Sequence, residues 1–470
     1  MGVPVEDWWD GPSHFALTRG NSTLTTGNNE YDDANTSMIF LESNWNGANF
    51  NNLDRVQWPS MKVSGDNTLS KIYLSYYDTT QKIIKFRYIE NGASVTSGYT
   101  TDNRFGSKTT QIMYTAGATR TYYVEQAISV YTSGGKTYDQ GYVCIAGADS
   151  NSPYSAVNFT NDGTAIVSWY DAKNGVLKMK YNTSPATSFS GYQTFSTVPG
   201  TGTVTFKISV DGGAAKDASV TYSNVANGQR NNHEFAYQLG KYLSENGFGA
   251  YAEVDPKSNL VTVRSMQTGP GSSISITNLS NGAVNAGVTG CGNAWVERTI
   301  DDAAVGKFVA LEVDGKNGIH MAYNDTANGD LKYAYLSSVS GTPQVVTVDG
   351  YQQTGSYIDL ALKNETLDGT SCIVPYISYY CTSYTDSTNA ARVARLRKPL
   401  IPSATGSDAT FTSANGAGAV DDMLTDIWEV VAIPTAGIPD QYRVNIGVKT
   451  NGDVIVGYLA DKQIEYVKVW

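Results

Sequence analysis

Along most of the chain apolar and polar residues alternate with a period of two, in short runs closed by Gly, Asn and Asp. Such alternation places one face of an extended strand against a core. The runs recur. Ile72-Tyr-Leu-Ser-Tyr-Tyr-Asp78, Ile166-Val-Ser-Trp-Tyr-Asp171 and Ile319-His-Met-Ala-Tyr-Asn-Asp325 align on their aspartates. Six residues after each Asp an apolar residue opens a further strand: Ile84-Lys-Phe-Arg-Tyr88, Leu177-Lys-Met-Lys-Tyr181 and Leu331-Lys-Tyr-Ala-Tyr335. A fourth copy joins Val454–Tyr458 to Ile464–Lys468, and a divergent one joins Cys372–Tyr376 to Val393–Leu396.

Upstream of each pair lies another strand: Val56–Met61, Tyr154–Phe159, Phe308–Val313, Tyr357–Leu362 and Tyr442–Ile446. Each leads into a turn such as Asn161-Asp-Gly163, Asp314-Gly315 or Asn451-Gly452, where Asn-Gly and Asp-Gly steps supply the positive φ of tight hairpins. Outer strands follow at Gly141–Ile145, Trp295–Ile300, Gln344–Val348 and Ile427–Ile433. Self-similarity of this kind predicts an all-β fold of repeated four-stranded units, a five-bladed β-propeller. Six or seven blades are allowed if the region between Gly92 and Gln140 holds another; it is read here as an elaborated outer hairpin. The last unit lacks an outer strand, so Ser37–Glu42 is expected to supply it. The ring is then closed by both termini, which removes free sheet edges.

The pattern changes between Gly200 and Gly290. Strands at Thr203–Val210 and Ala218–Tyr222 precede Glu234–Leu243, whose apolar Phe235, Leu239, Tyr242 and Leu243 have helical spacing. Asn231 or Asn232 is placed to cap that helix and Gly247 to stop it. Strands near 250–254, 260–264 and 273–277 follow. The expected domains are therefore 1–199 with 291–470 for the propeller, and 200–290 for a small inserted α+β domain. The insertion falls between the third and fourth strands of the second unit, on the side of the Asn-Gly turns. The face bearing the Asp turns is expected to stay open.

The repeat units resemble the bacterial propeller repeat in which a Tyr-Tyr-Asp turn precedes Leu-Lys-Tyr, with Trp295–Tyr335 the closest match. The insert, with Asp211-Gly-Gly213 between two strands and then a helix, is similar to modules of bacterial flagellin variable regions. The first resemblance implies fold rather than activity. The second raises a structural role in a surface layer or appendage.

Composition narrows the function classes. Charged residues make up 16% of the 470, against about 25% typically, while Tyr (32) and Gly (46) are abundant. Net charge is −11, which repels phosphate backbones and argues against nucleic acid. No run of eighteen apolar residues exists to span a membrane. A secreted or cell-surface location is expected, although Met1 to Asp7 lack the basic start and apolar run of a signal peptide. Cys144, Cys291, Cys372 and Cys381 lack metal-site spacing; Cys372 and Cys381, nine residues apart, are able to meet across a bulged or folded-back strand, so one or two bridges and four buried free thiols are both open. Oligomeric state is not legible.

Candidate chemistry is sparse. The three histidines, His14, His233 and His320, belong to no metalloprotease pair, and no serine-hydrolase elbow is present. No cofactor and no metal site are expected. Asp421, Asp422, Asp426, Asp301 and Asp302 read as solvated loop acids rather than a calcium loop. Thr160-Asn-Asp-Gly-Thr164 only loosely echoes the sialidase turn, and it joins the first two strands of its unit rather than the outer pair.

Glycoside hydrolysis needs two carboxyl groups in different protonation states; the acids near strand starts are Asp54, Asp359 and Asp440. The recurring Asp78, Asp171 and Asp325 cap their turns through backbone N–H groups. With Tyr77, Tyr170 and Asn324 beside them they are also the candidate ligand-binding set, since a carboxylate next to a ring suits a sugar. Trp58 and Arg55, near the channel mouth, join that set. The leading expectation is an extracellular adhesion or glycan-binding protein, with a propeller glycoside hydrolase as the alternative.

Overall fold

The computed structural model describes residues 56–65, 69–92, 143–147, 152–223, 231–254, 260–302, 304–350, 353–367, 369–382, 390–397, 428–433, 444–460 and 463–470, with backbone strands at 14–19, 37–43, 99–102, 109–115, 118–124, 128–133 and 136–139. Residues 1–148 with 184–295 form one compact unit, and 149–183 with 296–470 form a second.

The repeat pattern becomes antiparallel sheets in which sequence neighbours pair. In the first unit Val56–Gly65, Leu69–Asp78, Ile83–Gly92 and Val143–Ala146 make the first sheet, the last strand pairing with the third. The second unit holds four more sheets. The second sheet is Ser155–Phe159, Ala165–Asp171, Val176–Asn182 and Val296–Asp301. The third is Val305–Val313, Ile319–Asp325, Asp330–Leu336 and Gln344–Asp349. The fourth is Gln353–Leu367, Thr370–Thr382, Ala390–Leu396 and Trp428–Ala432. The fifth has three strands among the described residues, Val444–Val448, Val454–Ala460 and Gln463–Lys468.

Within the second unit the first strands of successive sheets lie side by side, from 155–159 to 305–313, 353–367 and 444–448. Both faces of the inner strands are therefore covered. Every residue of Ala165–Asp171 and Ile319–Asp325 is buried, which explains why these strands read as nearly continuous apolar runs. One core joins Val346 and Val348 of the third sheet, Val374 and Tyr379 of the fourth, and Val454 and Val456 of the fifth.

The N-terminal strand does something other than expected. Ser37–Ser43 pairs with His14–Arg19 in a two-stranded sheet of its own rather than with Gln463–Lys468. The stretch read as one outer hairpin is a hairpin, Thr109–Thr115 with Ala118–Val124, plus a three-stranded sheet from Tyr99–Asp102, Ile128–Ser133 and Lys136–Asp139.

The insert has the strands and helix its pattern predicts. Lys216–Tyr222, Gly202–Val210 and Ile274–Thr277 form one sheet. Its helix, Asn231–Glu245, begins at the residue expected to cap it and buries Phe235, Leu239 and Leu243. It ends at Gly247, whose φ of 61° only glycine adopts without strain. The second sheet, Ala250–Val254, Val261–Ser265, Tyr192–Thr197 and Ala283–Val284, reaches outside the expected bounds, because Tyr192–Thr197 pairs with Val261–Ser265. An isolated bridge between Phe189 and Cys291 extends the module further.

Candidate functional site

The recurring aspartates turn out to be structural locks. Asp78 Oδ1 accepts the backbone N–H groups of Thr80 (2.9 Å) and Gln81 (3.1 Å), while Oδ2 pairs with Lys85 Nζ at 2.8 Å. Asp171 accepts the Asn174 backbone and side-chain amides (3.2 and 2.7 Å) and pairs with Lys178 at 3.0 Å. Asp325 accepts Ala327 N, Asn328 N and Asn328 Nδ2 at 3.0 to 3.1 Å, with Lys332 at 3.8 Å. Each carboxylate is satisfied by the turn it starts and by a lysine seven residues on. This Asp-x-x-Gln/Asn-x-x-x-Lys spacing was visible in the sequence and marks the lock.

The residues beside these aspartates are packed rather than presented. Tyr77, Tyr170 and Asn324 are all buried. Burial, and then the Asp78 charge, push the Tyr77 hydroxyl up to about 12. Asn324 Nδ2 donates to Thr354 O at 2.8 Å, tying the third sheet to the fourth. The six residues serve turn closure and sheet packing in this structure. Nor does the Asp-turn side stay open in the first sheet. Gln81 reaches the insert, with Nε2 donating to Ala252 O (2.9 Å) and Oε1 accepting Ala252 N (3.0 Å). Ser244 Oγ donates to Gln81 O at 2.6 Å.

The remaining candidates separate further. Asp359 accepts Leu360 N and Ile446 N, both at 2.9 Å, which joins the first strands of the fourth and fifth sheets. Asp54, Arg55, Asp440, Asp421, Asp422 and Asp426 lie outside the described residues. Asp301 is not a solvated loop acid. It ends a strand and accepts the Tyr323 hydroxyl and Lys332 Nζ, each at 2.9 Å. Asp349 repeats that joint one sheet later, holding the Tyr379 hydroxyl and Arg392. Asp302 is exposed.

His320 is buried, with Nδ1 against the Tyr333 hydroxyl (2.6 Å) and Nε2 against Asp314 Oδ2 (3.2 Å). His233 sits in the insert helix. All four cysteines are thiols. Cys372 and Cys381 share one continuous strand, Thr370–Thr382, so some 30 Å of extended chain separates them. Among the described residues no group of three or more His, Cys, Asp or Glu is placed to hold a metal.

A different set of residues does converge. In three sheets the first strand carries the same β-bulge, between Gln57 and Ser60, Lys307 and Ala310, and Ser356 and Asp359. The first bulged residue is aromatic every time and sits in the left-handed region: Trp58 (φ 51°), Phe308 (55°) and Tyr357 (52°). A bulky side chain there is a true outlier, costing about 1–3 kcal/mol, and such strain gathers at ligand sites. Gly306 and Gly355 precede Phe308 and Tyr357 by two residues, also at positive φ. A Cβ on either would come within 3.2 Å of the preceding sheet, against Leu177 or Leu331. The joint between sheets thus fixes where each ring stands.

In the second unit these rings touch. Phe308 lies 4.6 Å from Tyr154 and 4.8 Å from Tyr357 between centroids, tilted by 50° and 44°. All three are partly exposed. Burial raises the Tyr154 hydroxyl above its ordinary value, and Tyr357 adds to that. Three consecutive sheets thereby build one aromatic row. Sequence reasoning singled out only Trp58; the shared signal was the aromatic opening each first strand at Tyr154, Phe308 and Tyr357.

No family model and no curated protein matches the chain. Among solved structures it is similar to NanB plus Optactamide, at TM-score 0.34 and 10% identity over 98% of this chain and 63% of that one. A NanB sialidase from Streptococcus pneumoniae in complex with 2-[(3-chlorobenzyl)ammonio]ethanesulfonate is similar at 0.30 and 11%, over 98% and 64%. An exo-β-1,3-galactanase from Clostridium thermocellum follows at 0.17 and 10%, over 87% and 72%. The chain spans less than two thirds of the length of the NanB chains. Its function is therefore read from its own residues.

Proposed function

We propose that this chain is an extracellular glycan-binding protein, with its repeat sheets as blades of one propeller and its ligand resting on the Tyr154–Phe308–Tyr357 row. The row is the observation that supports this. Phe308 and Tyr357 are fixed at a strained backbone, and with Phe308 in contact with both tyrosines the three partly exposed rings offer an apolar strip flanked by two hydroxyls. The apolar face of a sugar stacks on such rings while its hydroxyls bond to polar neighbours. Asp359, one of the three acids a hydrolase reading would use, has its carboxylate committed to backbone N–H groups.

A glycan array on the full chain, followed by titration of any hit, tests the reading. Phe308→Ala and Tyr357→Ala should each weaken binding at least tenfold with an unchanged melting temperature. Equal affinity in both variants, or no glycan retained by the wild-type protein, would remove the row from consideration. Turnover of a bound glycan would move the protein to the hydrolases.

A further inference from the structure

Asn-Gly steps recur along the chain because tight turns need a residue at positive φ. They are also the steps where a backbone nitrogen reaches the side chain before it most easily, since glycine puts no Cβ in the way. At Asn174, Asn246, Asn317, Asn328 and Asn451 the fold closes that route. Gly175 N donates to Asp171 O (2.8 Å), Gly247 N to Ser244 O (3.2 Å), Gly329 N to Asp325 O (2.8 Å) and Gly452 N to Lys449 O (2.9 Å). Gly318 N donates to Asp314 Oδ1 at 2.8 Å. The asparagine side chains are held as well. Asn174 and Asn328 donate to Asp171 and Asp325 at 2.7 and 3.0 Å, and Asn246 and Asn451 to Tyr242 O and Asp453 at 2.8 and 2.9 Å. Asn317 Oδ1 accepts Asn161 N at 2.8 Å.

The step at Asn281 and Gly282 is different. Both residues are exposed, and among the described residues neither the Asn281 side chain nor the Gly282 N–H makes a hydrogen bond. Gly282 stands at φ 91°, and a Cβ on it would fall 2.8 Å from Thr197 O and 3.1 Å from Pro199 N, so the fold requires glycine there. The Asn281 amide rests beside Gly200, its Nδ2 2.7 Å from where a Cβ on Gly200 would stand. Directly after the step comes Ala283–Val284, the edge strand that pairs with Thr197 and Phe195.

We propose that Asn281 is a site of spontaneous deamidation, and that its isoaspartyl product loosens the edge strand that follows. The Gly282 nitrogen attacks Asn281 Cγ; the new N–Cγ bond forms, the Cγ–Nδ2 bond breaks, and ammonia leaves carrying the proton of the Gly282 amide. Water then opens the five-membered imide at either carbonyl, giving aspartate or isoaspartate. Both products place a new carboxylate beside Gly200. Isoaspartate also lengthens the main chain by one carbon just before Ala283, which shifts the pairing with Thr197. At the other steps the glycine N–H must first leave its acceptor, and losing one hydrogen bond of about 1 kcal/mol slows the attack about fivefold.

The full chain, held at mildly alkaline pH in buffer and in parallel in urea, is sampled over days for peptide mapping by mass spectrometry. In buffer the Asn281 peptide should gain the mass difference between amide and acid about fivefold faster than the peptides of Asn174, Asn246, Asn317, Asn328 and Asn451. In urea the rates should converge, because no fold then holds the glycine N–H groups. Asn281→Gln, whose imide would need a six-membered ring, should remove the early mass gain. Hydrogen exchange at Phe195 and Thr197 should quicken in the aged wild type and stay constant in aged Asn281→Gln. A rate at Asn281 no greater than at the hydrogen-bonded steps, or the same ranking in urea, overturns the site. Unchanged exchange in the aged, deamidated wild type overturns the loosening of the edge strand.

Discussion

The same turn is built three times among the described residues, once with its lysine fully buried and twice with the lysine partly exposed. In the first sheet Asp78 and Lys85 are both fully buried, with Gln81 extended into the insert. In the second, Asp171 and Lys178 meet in a similar geometry, but the lysine is 20% exposed and shared with Glu297. At the position of Gln81 stands Asn174, too short to reach beyond its own aspartate. One extra methylene and one covering segment go with the change from a pair whose lysine is partly exposed to a pair that is fully buried. The comparison shows that a repeated motif does not carry a repeated energy: the contacts recur, while the dielectric around them changes.

The largest expected difference follows from that burial. Lys85→Ala leaves Asp78 uncompensated in a dry site and should cost about 3–5 kcal/mol, whereas Lys178→Ala should cost about 1 kcal/mol or less. Urea unfolding of both variants measures this, and equal losses would show that the insert does not set the environment of its turn. Smaller in effect is Gln81→Ala, which strands both backbone groups of Ala252 and should cost about 2–3 kcal/mol. Asn174→Ala is the control, and Gln81 should exceed it.

The smallest effect is in pH. Burial pushes the Asp171 carboxyl up, but hydrogen bonds from Asn174 and Lys178 outweigh it and the net shift is downward. A lowered native value means that stability is present above the ordinary carboxylate range and is lost as pH falls through the native value. Asp330 has the opposite sign: burial, then Asp325 and Asp349, raise its carboxyl, which favours the folded state as pH falls and is a penalty above it. Stability curves of Asp171→Asn and Asp330→Asn should therefore bend away from the wild type in opposite directions, the first within and below the ordinary carboxylate range and the second within and above it.

Much of the fold was legible because alternation and turn chemistry are local. Strand triplets, Asp-Gly and Asn-Gly hairpins, and the insert's helix all follow from residues within a few positions of one another. The outer strand Val296–Asp301 was also foreseen, although the insert separates it from its partner Val176–Asn182. The site was far less legible. Asp78, Asp171 and Asp325 looked available because the sequence shows Lys85, Lys178 and Lys332 at a fixed spacing but not that each lysine folds back onto its carboxylate. Phe308 and Tyr357 looked like ordinary strand residues, since a bulge exists only relative to the strand opposite. The pairing of Tyr192–Thr197 with Val261–Ser265 was not legible for the same reason: the partner lies far along the chain.

By itself the sequence determined most strands of the repeat sheets, their order within each sheet and the helix Asn231–Glu245, because hydrophobic period and positive-φ residues act over a few positions. Only the tertiary structure decided which acids are locked, which ring stands in the left-handed bulge, and which turn is dry. Those depend on what packs against a residue from another part of the chain, and burial and register belong to pairs of segments rather than to either one.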